Sequence, residues 1–183
     1  MRHNALRDME AKIMEKVCTD VRIEPSLIKT DAAEERLDIS ARGMWSRYEK
    51  TFFDVKVIHP TADSHLRKDL AKLYVEGEQE KKRKYQDRII NVEKATRTPL
   101  VFTTTGGMSP ECKRTNKRLA EKIAEKTGES YSNVMRHIRL RLRFALLRAT
   151  LIAVRGVRGH RRQCDEADLE EISFNLIPTT KEL

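Results

Sequence analysis

Two short stretches in which polar and apolar residues alternate constrain the fold of this chain more than any other feature. They are residues 36–43 (RLDISARG) and residues 51–57 (TFFDVKV). Alternation with a period of two is typical of β-strands, because successive side chains lie on opposite faces of a sheet. If the two strands pair, Asp38, Asp54 and Lys56 share one face. Leu37, Ile39, Ala41, Phe53, Val55 and Val57 then lie on the other.

The three polar residues, two acidic and one basic, are of the types found at metal-dependent phosphodiesterase sites. Two close carboxylates repel each other, so one stays protonated unless a cation lies between them. A hard divalent ion such as Mg²⁺ fits that position, because it takes oxygen ligands and often only one or two carboxylates. Lys56 then lies where a phosphate oxygen or an attacking water would be. The alternative is a solvated polar face, since D-x-K is a common tripeptide and a strand with one wet face carries charges.

The surrounding pattern predicts helices on both sides of these strands. We expect helices over residues 4–19, 64–95, 109–128 and 130–154, and further strands over 21–24 and 99–105. Ser109 and Pro110 are suited to the start of a helix, as its cap and its first turn. The loop TTTGG at 103–107 lacks the lysine and the spacing of a P-loop, which favours a tight strand-to-helix connection over a phosphate cradle. The order predicts an α/β fold with a mixed sheet.

A strong positive charge favours a polyanionic partner. The 183 residues carry a formal net charge of +9 with a pI of about 9.6, which suggests nucleic acid first and a membrane surface second. No apolar run is long enough for a membrane span, and the first residues lack a signal-peptide core, so we expect an intracellular protein, nuclear if eukaryotic. Cys18, Cys112 and Cys164 are too sparse for a zinc site or a disulfide scaffold.

Basic residues concentrate in two regions. The run Lys81, Lys82, Arg83 and Lys84 predicts either a solvated helix face or contact with a DNA backbone. Between residues 133 and 162 there are arginines but no acidic residues. Arg158, Arg161 and Arg162 are the favoured phosphate contacts, while the arginines of the last helix are divided between phosphate binding and internal ion pairs. That helix carries two apolar stripes, which predicts burial on two sides.

Several motifs in this order resemble the PD-(D/E)xK restriction-like nucleases, and more narrowly the endonuclease-like segment at the C-terminal end of animal retroelement reverse transcriptase polyproteins. Asp38 and the triplet Asp54-Val55-Lys56 match the superfamily's acidic pair and lysine. The matching stretches are residues 2–8 (RHNALRD), 37–39 (LDI), 42–45 (RGMW), 52–57 (FFDVKV), 80–85 (EKKRKY), 98–102 (TPLVF) and 144–148 (FALLR).

The resemblance implies a restriction-endonuclease-like αβββαβ core with a mixed central sheet flanked by helices, plus two C-terminal helices. It implies a nuclease domain over residues 1–157 and a basic and polar tail over 158–183. Asp38 and Asp54 would hold Mg²⁺ or Mn²⁺, with Lys56 orienting water or stabilising phosphate charge. Related domains carry a glutamate where this chain has Ala5, and His3, Asp8 or Glu24 are the candidates to replace it.

Three functions follow as expectations. The first is a metal-dependent DNA endonuclease that resembles a retroelement domain for nicking target DNA. Its partners would be DNA and a reverse transcriptase segment of the same polyprotein, with a homodimer as an option. The second is a catalytically inactive nucleic-acid-binding module derived from such a nuclease. The third is an interaction domain whose arginines pair internally and whose affinity for DNA depends little on salt.

Overall fold

The protein is an α/β fold in which a four-stranded mixed sheet is flanked by helices. The computed structural model describes residues 1–25, 37–91 and 95–155, and over 82–91 it describes the backbone alone. Within these ranges the elements are α1 (Arg2–Met14), β1 (Thr19–Ile23), β2 (Ile39–Arg42), β3 (Lys50–Ile58), α2 (Leu70–Asn91), β4 (Thr96–Thr103), α3 (Pro110–Thr127) and α4 (Tyr131–Arg155). This order confirms the predicted helix, three strands, helix, strand and two further helices. The predicted boundary at 157/158 lies outside the described ranges.

The sheet follows the chain order, β1-β2-β3-β4. β1 pairs antiparallel with β2, and β2 pairs antiparallel with β3, with Ile39 opposite Phe53. β3 and β4 are parallel, with Phe52 opposite Arg97 and Asp54 opposite Pro99. The β1–β2 pairing contains an irregularity between Thr19 and Arg22. The sheet is therefore mixed, as expected, and β3 lies at its centre with helices on each side.

Both faces of β3 are covered. Phe53 and Val55 belong to the main core, which they share with residues of β2 and β4 and with residues of α1, α3 and α4. On the opposite face, Ile58 packs with Leu73 and Tyr74 of α2. Phe52 and Phe53 are both fully buried. Because adjacent residues of a strand point to opposite faces, two buried neighbours indicate that the sheet is the middle layer of the fold.

The prediction that Leu37 shares the core face with Ile39 is wrong. Leu37 is 1% exposed and packs with Phe52 and Ala95, on the face opposite Phe53. The physical reason is that β2 begins only at Ile39, so strand alternation does not extend back to Leu37. Asp38 lies in the bend before the strand, and its side-chain direction is set by hydrogen bonds rather than by the pleat.

The connection from β4 to α3 is tight, as predicted. Ser109 caps α3, because its side chain accepts a hydrogen bond from the Cys112 amide, and Pro110 occupies the first turn. The helix ends at Gly128, which adopts the left-handed conformation (φ +74°) that glycine takes without a steric penalty. The hydroxyl of Thr103 accepts a hydrogen bond from the Gly107 amide at 2.8 Å, which closes the turn.

Gly107→Ala is expected to destabilise the fold by about 1–3 kcal/mol, the usual cost of overpacking a tight core. A Cβ at this position would clash with the Tyr74 hydroxyl and would lie 2.8 Å from the Thr103 hydroxyl. Urea unfolding measures the loss. Gly128→Ala is the comparison, because its Cβ would meet nothing within 4 Å and only the left-handed backbone is strained. Equal stability of Gly107→Ala and the parent chain would contradict the predicted clash.

The prediction that α4 is buried on two sides is wrong for the described residues. One stripe is buried and includes Ile138, Leu142 and Ala149. The second is exposed and consists of Leu140, Phe144, Leu147, Leu151 and Val154. The reason is that α1 and α3 pack against one side of α4 only. No helix within the described ranges is long and apolar enough to cross a membrane.

Candidate acidic site

The structure brings Asp38 and Asp54 together. In the antiparallel register of β2 and β3, Ile39 lies opposite Phe53, so the preceding Asp38 comes opposite the following Asp54. The Val55 amide donates a hydrogen bond to Asp38 Oδ2 at 2.7 Å, which holds the Asp38 side chain against β3. The two carboxyl groups are close enough that each shifts the pKa of the other. The two aspartates that the sequence predicts to be neighbours are therefore close together, with Asp54 on β3 and Asp38 in the bend that precedes β2.

The pKa values of the two carboxyl groups are shifted in opposite directions, in part because the groups are close together. Burial raises the pKa of Asp54, and the neighbouring Asp38 raises it further, against a hydrogen bond from Lys81. Burial acts on Asp38 in the same direction, but hydrogen bonds from His3, Asp54 and the Val55 amide outweigh it and lower the pKa of Asp38. Two close carboxylates cannot both ionise without compensation, so the pair holds a proton more tightly at Asp54 than at Asp38.

Cationic side chains surround the acidic pair. Lys81 of α2 donates to Asp54 Oδ1 at 2.8 Å, and Arg97 of β4 donates to Asp54 Oδ2. The side chains of Asp54 and Arg97 are each only 6% exposed, so this ion pair is shielded from water. His3, at the start of α1, lies 3.1 Å from Asp38 Oδ2, and that contact raises the pKa of His3. We define the acidic site as His3, Asp38, Asp54, Lys81 and Arg97.

Lys56 lies at the edge of the acidic site. It is two residues beyond Asp54 on β3, so the two side chains leave the strand on the same face. Its ammonium forms an ion pair with Glu80 of α2, and its side chain is 25% exposed. Lys56 thus lies on the predicted face, and Glu80 is the partner that the structure shows for it.

The three accessory candidates separate into two groups. His3 reaches Asp38, with its Nε2 3.1 Å from Asp38 Oδ2. The side chains of Asp8 and Glu24 instead form ion pairs with the buried Arg7, and Glu24 meets Asp38 through its backbone amide, which donates to the Asp38 carbonyl at 2.8 Å. Of the three, His3 is the one whose side chain contacts an Asp38 carboxylate oxygen.

The residues predicted to bind DNA fall partly outside the described side chains. Lys81 is described, and its ammonium lies on Asp54 rather than extending along a free helix face. The side chains of Lys82, Arg83 and Lys84 lie outside the described part of α2. Arg158, Arg161 and Arg162 also lie outside the described ranges.

Exposed arginines line α4 within the described ranges. Arg136, Arg139, Arg141, Arg143, Arg148 and Arg155 are all exposed. None of the six forms an ion pair with another described residue, so the internal pairing left open on sequence grounds is not observed there. The pKa of His137 on the same helix is lowered, mainly by burial and to a smaller extent by the positive charges of Lys16 and Arg141.

The acidic pair has the ligand type of a hard divalent cation, but a metal ion would compete there with Lys81 and Arg97, which donate to both Asp54 oxygen atoms. Asp54 offers its carboxylate from β3 and Asp38 from the bend before β2, and Mg²⁺ commonly binds through one or two carboxylates with water in its remaining positions. A cation there would offset the repulsion from Asp38 that helps to raise the pKa of Asp54. Among the described residues, no cluster of three or more His, Cys, Asp or Glu side chains is arranged to hold a metal, so the fit rests on these two carboxylates alone.

Sequence reasoning missed Arg97, which is the most buried cation of the acidic site. The predicted strand began at Pro99, whereas β4 begins at Thr96. Alternation across Arg97, Pro99 and Val101 was an available signal that these residues share a face. It does not identify the partner strand, however, and only the parallel register with β3 places Arg97 beside Asp54.

No family model matches this chain, and no curated protein matches it as a relative.

Proposed function

We propose that the protein is a metal-dependent DNA endonuclease of the restriction-like type, related in role to a retroelement domain that nicks target DNA. The observation that carries the proposal is the proximity of two carboxyl groups, that of Asp54 on β3 and that of Asp38 in the bend just before the antiparallel strand β2. Lys56 leaves β3 on the same face as Asp54. The acidic pair lies beside the central strand of an αβββαβ arrangement, which is the element order that the resemblance implies.

Each residue has a defined role in the proposed reaction. Asp38 and Asp54 would hold Mg²⁺ or Mn²⁺, which supplies Lewis-acid polarisation of a phosphate oxygen and a water of lowered pKa. Lys56 would orient a water or balance phosphate charge, after leaving its ion pair with the exposed Glu80. The Val55 amide and His3 fix the Asp38 carboxylate in place, so that its oxygen atoms are oriented before substrate arrives.

The charge of the protein supports a nucleic-acid substrate. The net charge of +9 and the exposed arginines of α4 provide positive groups for backbone phosphates. Arginine suits this contact because its planar group binds two oxygen atoms at once. Contacts of this kind position DNA without selecting a sequence.

A plasmid-nicking assay tests the proposal. The full chain with Mg²⁺ or Mn²⁺ is expected to convert supercoiled plasmid to open circles, and EDTA is expected to stop the conversion. Asp38→Ala should abolish nicking, whereas Asp63→Ala, on an exposed turn, should leave it unchanged. Nicking that persists in EDTA, or that survives Asp38→Ala, would contradict the proposal.

A catalytically inactive nucleic-acid-binding module is the second candidate, and one observation favours it. Both oxygen atoms of Asp54 already accept hydrogen bonds from cationic side chains, Lys81 and Arg97, which compete with a metal ion. Ala5 also stands at the position where the resemblance implies an acidic ligand. This candidate predicts DNA affinity that falls steeply as salt rises, without cleavage under any metal condition.

A further inference from the structure

The exposed side of α4 carries a row of large apolar side chains. Leu140, Phe144, Leu147, Leu151 and Val154 are between 41% and 76% exposed. A groove of about 390 Å³ follows the second half of this stripe, lined by Phe144, Leu147, Arg148, Leu151, Ile152 and Arg155. Contiguous apolar surface of this kind, bordered by charged groups, marks an interaction site in soluble proteins.

The charge around the groove defines the chemistry of its occupant. Arg148 and Arg155 border the apolar floor, and neither forms an ion pair with a described residue. A ligand that fills the groove must have apolar side chains that pack on its floor and acidic groups that pair with the two arginines at its rim. Duplex DNA brings acidic groups but no matching apolar surface for Leu147 and Leu151.

One segment of this chain has that composition. Residues 164–177 read CDEADLEEISFNLI. Its acidic residues are Asp165, Glu166, Asp168, Glu170 and Glu171. Its apolar residues include Leu169, Ile172, Phe174, Leu176 and Ile177. Acidic and apolar residues therefore occur together, whereas residues 133–162, which include most of α4, carry basic residues and no acidic ones.

We propose that residues 164–177 bind in the groove on α4. Residues 156–163 (GVRGHRRQ) connect this segment to the end of α4 and contain two glycines, Gly156 and Gly159, that allow the chain to reverse. When extended, this connection reaches at most about 28 Å. The surface from Phe144 to Arg155 rises only about 16 Å along the helix axis. The segment can therefore reach every part of the groove.

A second copy of the chain is the competing occupant, and electrostatics argues against it. In a two-fold interface each surface meets its own equivalent, so the arginines of one α4 would approach those of the other. Like charges placed together cost free energy, and the acidic residues of 165–171 remove that cost when they pair with Arg148 and Arg155 instead. The intramolecular contact also has the advantage of a high effective concentration.

A nitroxide attached to Cys164 in the full chain tests the contact. Cys18 and Cys112 are buried, and burial raises the pKa of both thiols, so Cys164 is the cysteine expected to react first. In the NMR spectrum, the methyl signals of Leu147 and Leu151 are expected to lose most of their intensity, relative to the same sample after the nitroxide has been reduced. The signals of Leu73 and Val101, on the opposite side of the sheet, should keep theirs.

Two further samples distinguish the occupants. The first sample is a mixture of two chains: one carries the nitroxide but no isotope label, and the other carries the isotope label but no nitroxide. In this mixture the methyl signals of Leu147 and Leu151 should keep their intensity. Losses in that mixture as large as in the single-chain sample would make a second copy the occupant and overturn the proposal. In the spin-labelled chain, Leu169→Asp combined with Phe174→Asp should restore the α4 signals, with Leu73 unchanged as the measure of folding. Full α4 intensity in the parent labelled chain would also overturn the proposal.

Discussion

Asp54→Asn is expected to abolish Mg²⁺-dependent nicking of DNA while leaving DNA affinity intact or increased. Asparagine keeps the size of the side chain and loses its negative charge, so one of the two proposed metal ligands is lost. Loss of an outer-shell partner of a metal already costs about 10- to 100-fold in affinity or activity, so loss of a direct ligand should cost at least about 100-fold. Removing a negative charge beside the scissile phosphate also removes repulsion.

The measurement pairs initial nicking rates on supercoiled plasmid with DNA affinity from fluorescence anisotropy at fixed salt. Asp63→Asn is the matched control, because it makes the same chemical change on an exposed turn. Thermal unfolding of both variants checks that Asp54→Asn remains folded despite the change beside Lys81 and Arg97. Parallel loss of nicking and of DNA affinity would show that Asp54 supports structure or binding, and would argue against a metal-binding role.

Glu10→Gln is expected to stabilise the protein above neutral pH by up to about 3 kcal/mol. Glu10 of α1 is fully buried against α3, where its Oε1 accepts a hydrogen bond from Asn116 at 3.1 Å. Its Oε2 has no hydrogen-bond partner among the described residues. Burial raises the pKa of Glu10 to about 7 from an ordinary value of 4.5, so its charged form is costly in the folded state.

The sign of the pH dependence follows from this raised pKa. Between about pH 4.5 and pH 7 the folded protein binds a proton at Glu10 that the unfolded chain has released. The contribution of Glu10 to stability is therefore fully present below pH 4.5, falls as pH rises, and is lost above about pH 7. Glutamine resembles the protonated glutamate, so the variant lacks this loss.

Urea unfolding of the parent chain and of Glu10→Gln from pH 4.5 to pH 8 measures the effect. The difference in the free energy of unfolding between the two should be small at the acidic end and should grow toward pH 8. Glu15→Gln, an exposed position just beyond α1, is the matched control and should show no such growth. A pH-independent difference for Glu10→Gln would mean that Glu10 titrates normally in the folded state.

The element order and the face of Asp54 could be predicted from the sequence because they depend on local patterns, whereas the direction of Asp38 depends on hydrogen bonds from His3 and the Val55 amide. Alternation within β3 assigned Asp54 and Phe53 to opposite faces, and Ser109 with Pro110 marked the start of α3. These signals arise from steric and hydrogen-bonding preferences within a few residues. Local reasoning failed at Leu37, because the sequence does not show that regular strand geometry begins two residues later.

The remaining features depend on contacts between elements that are distant in the chain. Arg97 reaches Asp54 only because β4 runs parallel to β3 in one particular register. The second apolar stripe of α4 satisfies the same periodicity as the buried stripe, so its exposure could not be predicted from spacing. Likewise, nothing in the run at Lys81 distinguishes it from its basic neighbours, yet Lys81 lies on Asp54.

The irregular pairing of β1 has a consequence for the solubility of the protein. β1 lies at one edge of the sheet, where unpaired backbone groups offer a template for strand addition and aggregation. The irregularity between Thr19 and Arg22 interrupts the hydrogen-bonding pattern that an incoming strand would need. Exposed charges on Asp20 and Arg22, which pair at 2.7 Å, add a hydrophilic barrier. This edge is thereby protected against the intermolecular sheet extension that leads to fibrils.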